Sequence, residues 1–118
     1  MLSGKEFASK VIVFSAYKAT KELLDNVTDL EKFLHETLEG VTRGKIIKFE
    51  ISKERGGVIR LKHSLEADSY GPSDIPVCHL ARGIIKAITE KMIGKPVKVQ
   101  ERKCVSMGDE YCEFAIIV

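Results

Sequence analysis

The 118-residue sequence contains no tryptophan, and only three prolines and three cysteines. Without Trp, an aromatic ligand could stack only on Phe or Tyr, which together supply 7% of the chain. Charge of one sign is also missing. Nineteen Lys and Arg nearly balance seventeen Asp and Glu, and the net charge of +2 is too small to point to nucleic acid or a membrane surface. No apolar run approaches the roughly 20 residues needed to span a bilayer. The N-terminus, Met1-Leu-Ser-Gly-Lys-Glu6, lacks the apolar core of a secretory leader, so the default expectation is a cytoplasmic setting. There thiols stay reduced, and an odd cysteine count would leave one unpaired, so a cysteine cluster points to a metal site rather than a disulfide.

Catalytic signatures are missing as well. No nucleophile–base pair, phosphate loop or cofactor fingerprint is visible. Gly56-Gly57 is too short to cradle a phosphate and suits a hairpin turn. His63 and Ser64 are sequence neighbours whose side chains diverge on a strand, so they make no dyad. The expectation is a non-enzyme. No internal repeat or low-complexity segment occurs, and a chain of this length, 44% hydrophobic, can bury a core without disulfides. One domain over 1–118 is expected, with a helical segment at 1–41 and a ββαββ core at 42–118.

Ser3 and Glu6 are spaced as a capping box, as are Thr28 and Glu31. Between them Phe7, Val11, Phe14, Ala19 and Leu23 recur at helical spacing. Val11-Ile-Val-Phe14 also suits a strand, but Ala8, Ala16 and Ala19 favour helix. A helix apolar on more than one side has more than one face to bury, against either a second copy of the chain or the monomer core. A second helix runs from about Asp29 to Glu39, with Gly40 placed to end it.

Two alternating strands follow. Ile47, Phe49 and Ile51 face one way in the first; Ile59, Leu61 and His63 do so in the second. After a polar loop at Gly71-Pro-Ser73, a third helix with Pro76 in its first turn carries Leu80, Ala81, Ile84, Ile85, Ile88 and Met92, and ends at Gly94. Val97 and Val99 open another strand, and Cys112, Phe114, Ile116 and Val118 share one side of the last. The fold class is therefore α+β, order ααββαββ, with helices on a small antiparallel sheet.

The chemistry concentrates in the cysteines. Cys78, Cys104 and Cys112 with Glu101 make four ligands, enough for a tetrahedral zinc shell. A hairpin turning at Gly108 sets Cys104 and Cys112 roughly opposite each other. Glu101 and Cys104, three apart, point to opposite faces of a regular strand, so a β-bulge is expected near Arg102-Lys103. Cys78, in the first turn of the third helix, gains from the helix dipole, which lowers a thiol pKa. His79 is an alternative fourth ligand, and three small buried hydrophobes are the plainer alternative to any metal.

For a ligand pocket the candidates are the inward positions Phe49, Ile51, Ile59 and Leu61, with Phe33 and Leu34 above. His63 is the polar group able to meet a ligand hydroxyl, although a histidine bonded to backbone is commoner. His35 is expected on a helix flank, without a role.

Three stretches carry a resemblance. Pro76-Val-Cys78, Gly94-Lys-Pro-Val-Lys-Val-Gln-Glu101-Arg-Lys-Cys104 and Gly108-Asp-Glu-Tyr-Cys112-Glu-Phe114 resemble the 4-vinyl-reductase (hydrocarbon-binding) domain family, as does Leu61-Lys-His-Ser64-Leu-Glu-Ala67. The match is specific over residues 57–118. It implies a structural zinc on Cys78, Glu101, Cys104 and Cys112, and a fold shared with TRAPP-type tethering subunits, often dimeric. It further implies a small apolar or aromatic ligand, as in phenol-sensing regulators, or a part in reducing a tetrapyrrole vinyl group. No ATPase, DNA-binding or partner domain is recognisable beside it. The expected protein is a zinc-stapled, homodimeric ligand-binding domain, with a ligand-free scaffold or a reductase accessory as alternatives.

Overall fold

The computed structural model describes residues 3–118; Met1 and Leu2, part of the stretch read above for a leader, lie outside the described residues. The fold is α+β. Helix α1 spans Gly4–Glu22, α2 Leu30–Thr42, β1 Lys45–Ser52, β2 Gly56–Lys62, α3 Leu65–Tyr70, α4 His79–Ile93, β3 Lys98–Lys103 and β4 Cys112–Ile117. The expected order therefore holds, with the short α3 added. The strands form one antiparallel sheet in the order β1-β2-β4-β3, so two hairpins join through their inner strands. Among the described residues no helix is long and apolar enough to cross a membrane.

Local signals set most boundaries. The Ser3 hydroxyl accepts the Glu6 amide at 3.1 Å and starts α1. At α2 the cap is Asp29, whose carboxylate accepts the Lys32 amide at 3.1 Å, one residue beyond the expected Thr28. The same helix runs through Gly40 and ends only where Arg43 turns left-handed (φ 60°). Gly94 ends α4 as expected, at φ 87°. In β1 a bulge between Ile46 and Lys48 leaves Ile47 46% exposed, and Ile46 takes the inward place expected of it. Gly57 lets β1 and β2 approach, because a Cβ there would lie 1.8 Å from the Glu50 carbonyl oxygen.

Helix α4 is the hub of the core, since α1, α2, β3 and β4 all pack on it. Its buried residues run around much of its circumference, from Ala81, Ile84 and Ile85 to Ala87, Ile88 and Thr89, although Leu80 is exposed. The inner strands supply Ile59, Leu61, Phe114 and Ile116, and α2 supplies Leu34 and Leu38.

Helix α1 does not bury its larger apolar stripe in the monomer core. Phe7, Val11, Phe14 and Leu23 face outward, 47–66% exposed, and Ala19 is exposed beside them. The seated face carries Val13, Ala16, Tyr17 and Thr20 instead, and it rests on Gly83 of α4. An all-apolar stripe marks a face to be covered, but it does not say by what. Here small side chains and a polar network fix the seat. The Glu90 carboxylate accepts from the Tyr17 hydroxyl, from Lys86 Nζ at 2.8 Å and from the Val97 amide at 3.0 Å, which ties α1, α4 and the approach to β3 together. These partners hold the Glu90 carboxyl below its usual range against the opposing effect of burial. Replacing Glu90 by Ala is expected to destabilise the protein by about 2–3 kcal/mol, since it orphans a partly buried amide and ammonium. A urea titration in which the E90A midpoint matched that of the parent would refute this.

Candidate metal centre

Three separate elements converge below the N-terminus of α4. Cys112 opens β4 and pairs with Leu61 of β2. On the neighbouring strand Glu101 pairs with Phe114 but Lys103 pairs with Glu113, so the ladder slips at Arg102. This is the bulge that the spacing required. It returns Cys104 to the inner side: Glu101 is 6% exposed and Cys104 fully buried, with exposed Arg102 between. The turn to β4 is a short 3-10 helix, Val105–Met107, followed by Gly108 at φ 96°. The Cys104 amide donates to the Asp109 carboxylate at 2.9 Å, and its carbonyl accepts the Met107 amide at 2.9 Å, which closes the loop behind the thiol.

Cys78 comes from the other layer. It is the N-cap residue of α4, and the helix itself begins at His79, later than Pro76 suggested. The acceptor for the first turn is Glu66 of α3, which takes the Leu80 amide at 3.0 Å. That carboxylate could not be foreseen, because α3 was expected to be loop.

The ligand atoms of Cys78, Glu101, Cys104 and Cys112 lie within 4.8 Å of one another, and all four residues are buried. The Sγ atoms of Cys78 and Cys112 are 3.4 Å apart, and all three cysteines are free. Zinc–sulfur bonds of about 2.3 Å in a tetrahedral shell put sulfurs about 3.8 Å apart, so the set has the size of one small cation. Glu101 supplies the fit test. Its Oε1 accepts the Cys78 amide at 3.0 Å, whereas its Oε2 is buried with no hydrogen-bond partner. An orphaned carboxylate oxygen among three thiols is costly unless a cation meets it. His79 stays outside, with Nδ1 at 3.1 Å from the Ser9 hydroxyl and against Arg82.

Electrostatics point the same way. Without an ion, burial and mutual contact displace all four groups from their ordinary ranges. The neighbouring Cys112 and Cys78 thiols, with the amides of Val77 and Ser106, hold Cys104 far below the usual thiol range against the effect of burial. The nearby Cys104 sulfur and burial drive Cys78 up and push Cys112 up to about 12. Burial lifts the Glu101 carboxyl to about 8. The thiol shifted down is therefore Cys104 rather than Cys78, on which the neighbouring thiols and burial outweigh the helix dipole.

The residues expected to line a ligand pocket divide. Leu34, Ile59 and Leu61 are fully buried core, packed under α2 and α4. Phe33 packs at the core margin. Phe49 and Ile51 line an open cleft of about 530 Å³ together with Glu31 and Arg55. His63 lies beyond the end of β2, exposed and left-handed at φ 61°, so it does not share the inner face of Ile59 and Leu61. His35 sits on the α2 flank with its ring 4.4 Å from that of Phe49.

Comparison with known proteins agrees with this architecture. The chain is similar to the uncharacterized protein MJ0150 of Methanocaldococcus jannaschii, 29% identical over 98 residues that cover 81% of this chain and 57% of that one. It is also 26% identical to MJ0745 of the same organism over 97% of this chain and 60% of the relative. The chain thus spans little more than half the length of these relatives. Among solved structures, the phenol-responsive sensory domain of the transcription activator PoxR, crystallised with phenol, superposes with a TM-score of 0.72 at 20% identity, covering 97% of this chain and 66% of that one. A vinyl-4-reductase family protein from Methanocaldococcus jannaschii superposes with a TM-score of 0.66 at 17% identity, covering 89% and 66%. The 4-vinyl-reductase domain matches residues 58–118, which carry all four clustered ligands and more than half of the sequence, and the chain belongs to the 4-vinyl-reductase domain family.

Proposed function

We propose that this chain is a small-molecule-binding module held together by a structural zinc ion, and that it is not itself an enzyme. The observation that carries the metal reading is the partnerless Oε2 of Glu101 among three buried thiols. Three sulfurs and one carboxylate would close a tetrahedral shell, leaving no position for water or substrate, and together they more than neutralise a dication. The metal then ties the start of α4 to the β3–β4 hairpin. When bound it supplies cohesion, while Cys78, Glu101, Cys104 and Cys112 hold it and the Val77 and Ser106 amides orient the Cys104 sulfur.

Only deprotonated ligands bind, so affinity for zinc should rise with pH and acid should release the ion. Because the cysteines bind as thiolates, zinc binding at pH 7 is expected to release protons. Calorimetric titration with zinc in buffers of different ionisation heat measures how many, and a value near zero would exclude thiol coordination.

The binding reading rests on membership of the 4-vinyl-reductase domain family and on a fold shared with a phenol-responsive sensory domain. The ligand would be small and apolar or aromatic, and the output would pass to a partner. A scaffold reading, resembling the tethering subunits, draws on one observation: the outward apolar stripe of α1, where Phe7 and Phe14 are 61% and 64% exposed, suits a second copy of the chain. Native mass spectrometry reports zinc, oligomeric state and co-purified ligand together. A binder should also melt higher with phenols, hydrocarbons or acyl chains. A metal-loaded dimer indifferent to every such compound would favour the scaffold.

A further inference from the structure

We propose that the ligand site lies between α1, α4 and β3, and that it selects an organic carboxylate with an apolar body over a neutral phenol or hydrocarbon. This rests on the small-molecule reading above and names its chemical class. Two clefts of about 430 and 510 Å³ share Ser9, Lys10 and Arg82 as a common wall and so adjoin. One continues toward Lys98, Val99 and Pro76; the other is floored by Val13, Phe14 and Tyr17. This is ordinary architecture for a ligand with a charged head and a greasy body: convergent polar groups at the junction, apolar walls beyond.

The cations at the junction are not taken up in ion pairs. Among the described residues, Arg82, Lys10 and Lys98 make no ion pair. Lys86, also on the wall, is already matched by Glu90 at 2.8 Å. The Arg82 guanidinium donates through Nη2 to the Ser9 hydroxyl at 3.0 Å and meets Nδ1 of His79, both neutral acceptors, while its Nε is buried without a partner. A nearby carboxylate, Glu66, feels its charge; its Oε2 accepts the Leu80 amide at 3.0 Å and its Oε1 has no hydrogen-bond partner, but it forms no ion pair with Arg82. The acids on the cleft walls are Glu6, on the exposed first turn of α1, and Glu101, committed to the metal cluster. Arg82, Lys10 and Lys98 thus stand outside any ion pair along the cleft walls, with Glu6, Glu66 and the metal-cluster ligand Glu101 as the acids near them, so the cations are free to meet an anionic ligand. A half-buried guanidinium without a counter-ion is an incomplete pair, and a planar carboxylate matches its fork.

The test is binding of benzoate and octanoate to the zinc-loaded protein, compared with benzyl alcohol and octanol, which keep the apolar body and lose the charge. Calorimetry should show the acids binding at least about tenfold tighter than the alcohols, and weakening as salt is raised. R82Q should lose that preference. Because Arg82 also braces α1, the exposed-lysine variant K10Q/K98Q is the second probe, and should lose several-fold of the acid affinity with an unchanged melt. Equal affinity for acids and alcohols, or undiminished acid binding in K10Q/K98Q, would overturn the carboxylate assignment and leave the small-molecule reading standing. No binding of any of the four compounds would overturn the assignment and count against that reading as well.

Discussion

Stripping the metal-loaded protein with a strong chelator is expected to abolish the cooperative melt of its C-terminal half. Structural zinc in small peptides contributes apparent free energies of about 10–16 kcal/mol at neutral pH, comparable with or above the roughly 5–15 kcal/mol that holds a whole domain. The geometry explains why so much depends on it. The β3–β4 loop is closed locally by Asp109 and the Cys104 carbonyl. Between the start of α4 and that loop, however, the connection at the cluster runs through the Cys78 amide, the Glu101 carboxylate and the sulfurs. Without a cation, a buried carboxyl lifted to about 8 is crowded against three buried thiols. C104S and C112S should mimic chelation. E101Q should be milder, because an amide oxygen still accepts the Cys78 N–H while the charge on Oε2 is lost. Circular dichroism melts before and after chelation, with zinc assayed in each sample, decide the matter. An unchanged melt in verified metal-free protein would end the structural-zinc proposal.

Gly83→Ala is expected to destabilise the protein, against the helix-propensity gain of about 1 kcal/mol that Ala brings to a helix interior. A Cβ at this position would lie 2.6 Å from both the Ala16 Cβ and the Val13 carbonyl oxygen, and 2.9 Å from the Tyr17 amide nitrogen. Two of these three are backbone atoms, so no side-chain rotation relieves the clash and α1 must move away. Overpacking of this kind costs about 1–3 kcal/mol or more, enough to outweigh propensity, and Gly83→Val should cost more still. Displacement would also pull Tyr17 from Glu90 and Ser9 from Arg82. Urea midpoints give the sign, and limited proteolysis should show α1 released first. A G83A protein more stable than its parent would refute the close crossing.

These outcomes differ in how far they could be read from residues alone. The bulge at Arg102 followed from parity: Glu101 and Cys104 cannot share a face of a regular strand, so two ligands at that spacing imply an inserted residue. The Cys104–Cys112 hairpin followed from the position of Gly108. The outward face of α1 did not follow. Its larger apolar stripe suggested burial, yet the seat uses smaller residues, because Gly83, sixty-seven positions from Ala16 in a later helix, offers contact only to a flat surface. Nor was the short α3 legible, although its Glu66 caps α4 and its Ala67 carbonyl accepts from Ser106 at 2.6 Å. His63 was misplaced by extending strand alternation one residue past the end of β2.

The sequence by itself determined what depends on neighbours a few residues away. Caps, turn glycines, strand parity and the donor types of the cluster are local, since they arise from backbone sterics and short-range hydrogen bonds. Only the tertiary structure decided which thiols are pushed up and which down, that Glu101 rather than His79 joins the cysteines, and that the inner face of the sheet is filled core. It also placed unpaired cations of α1, α4 and β3 around one cleft. Those are properties of distance and desolvation between segments remote in sequence, and no periodicity along the chain encodes them.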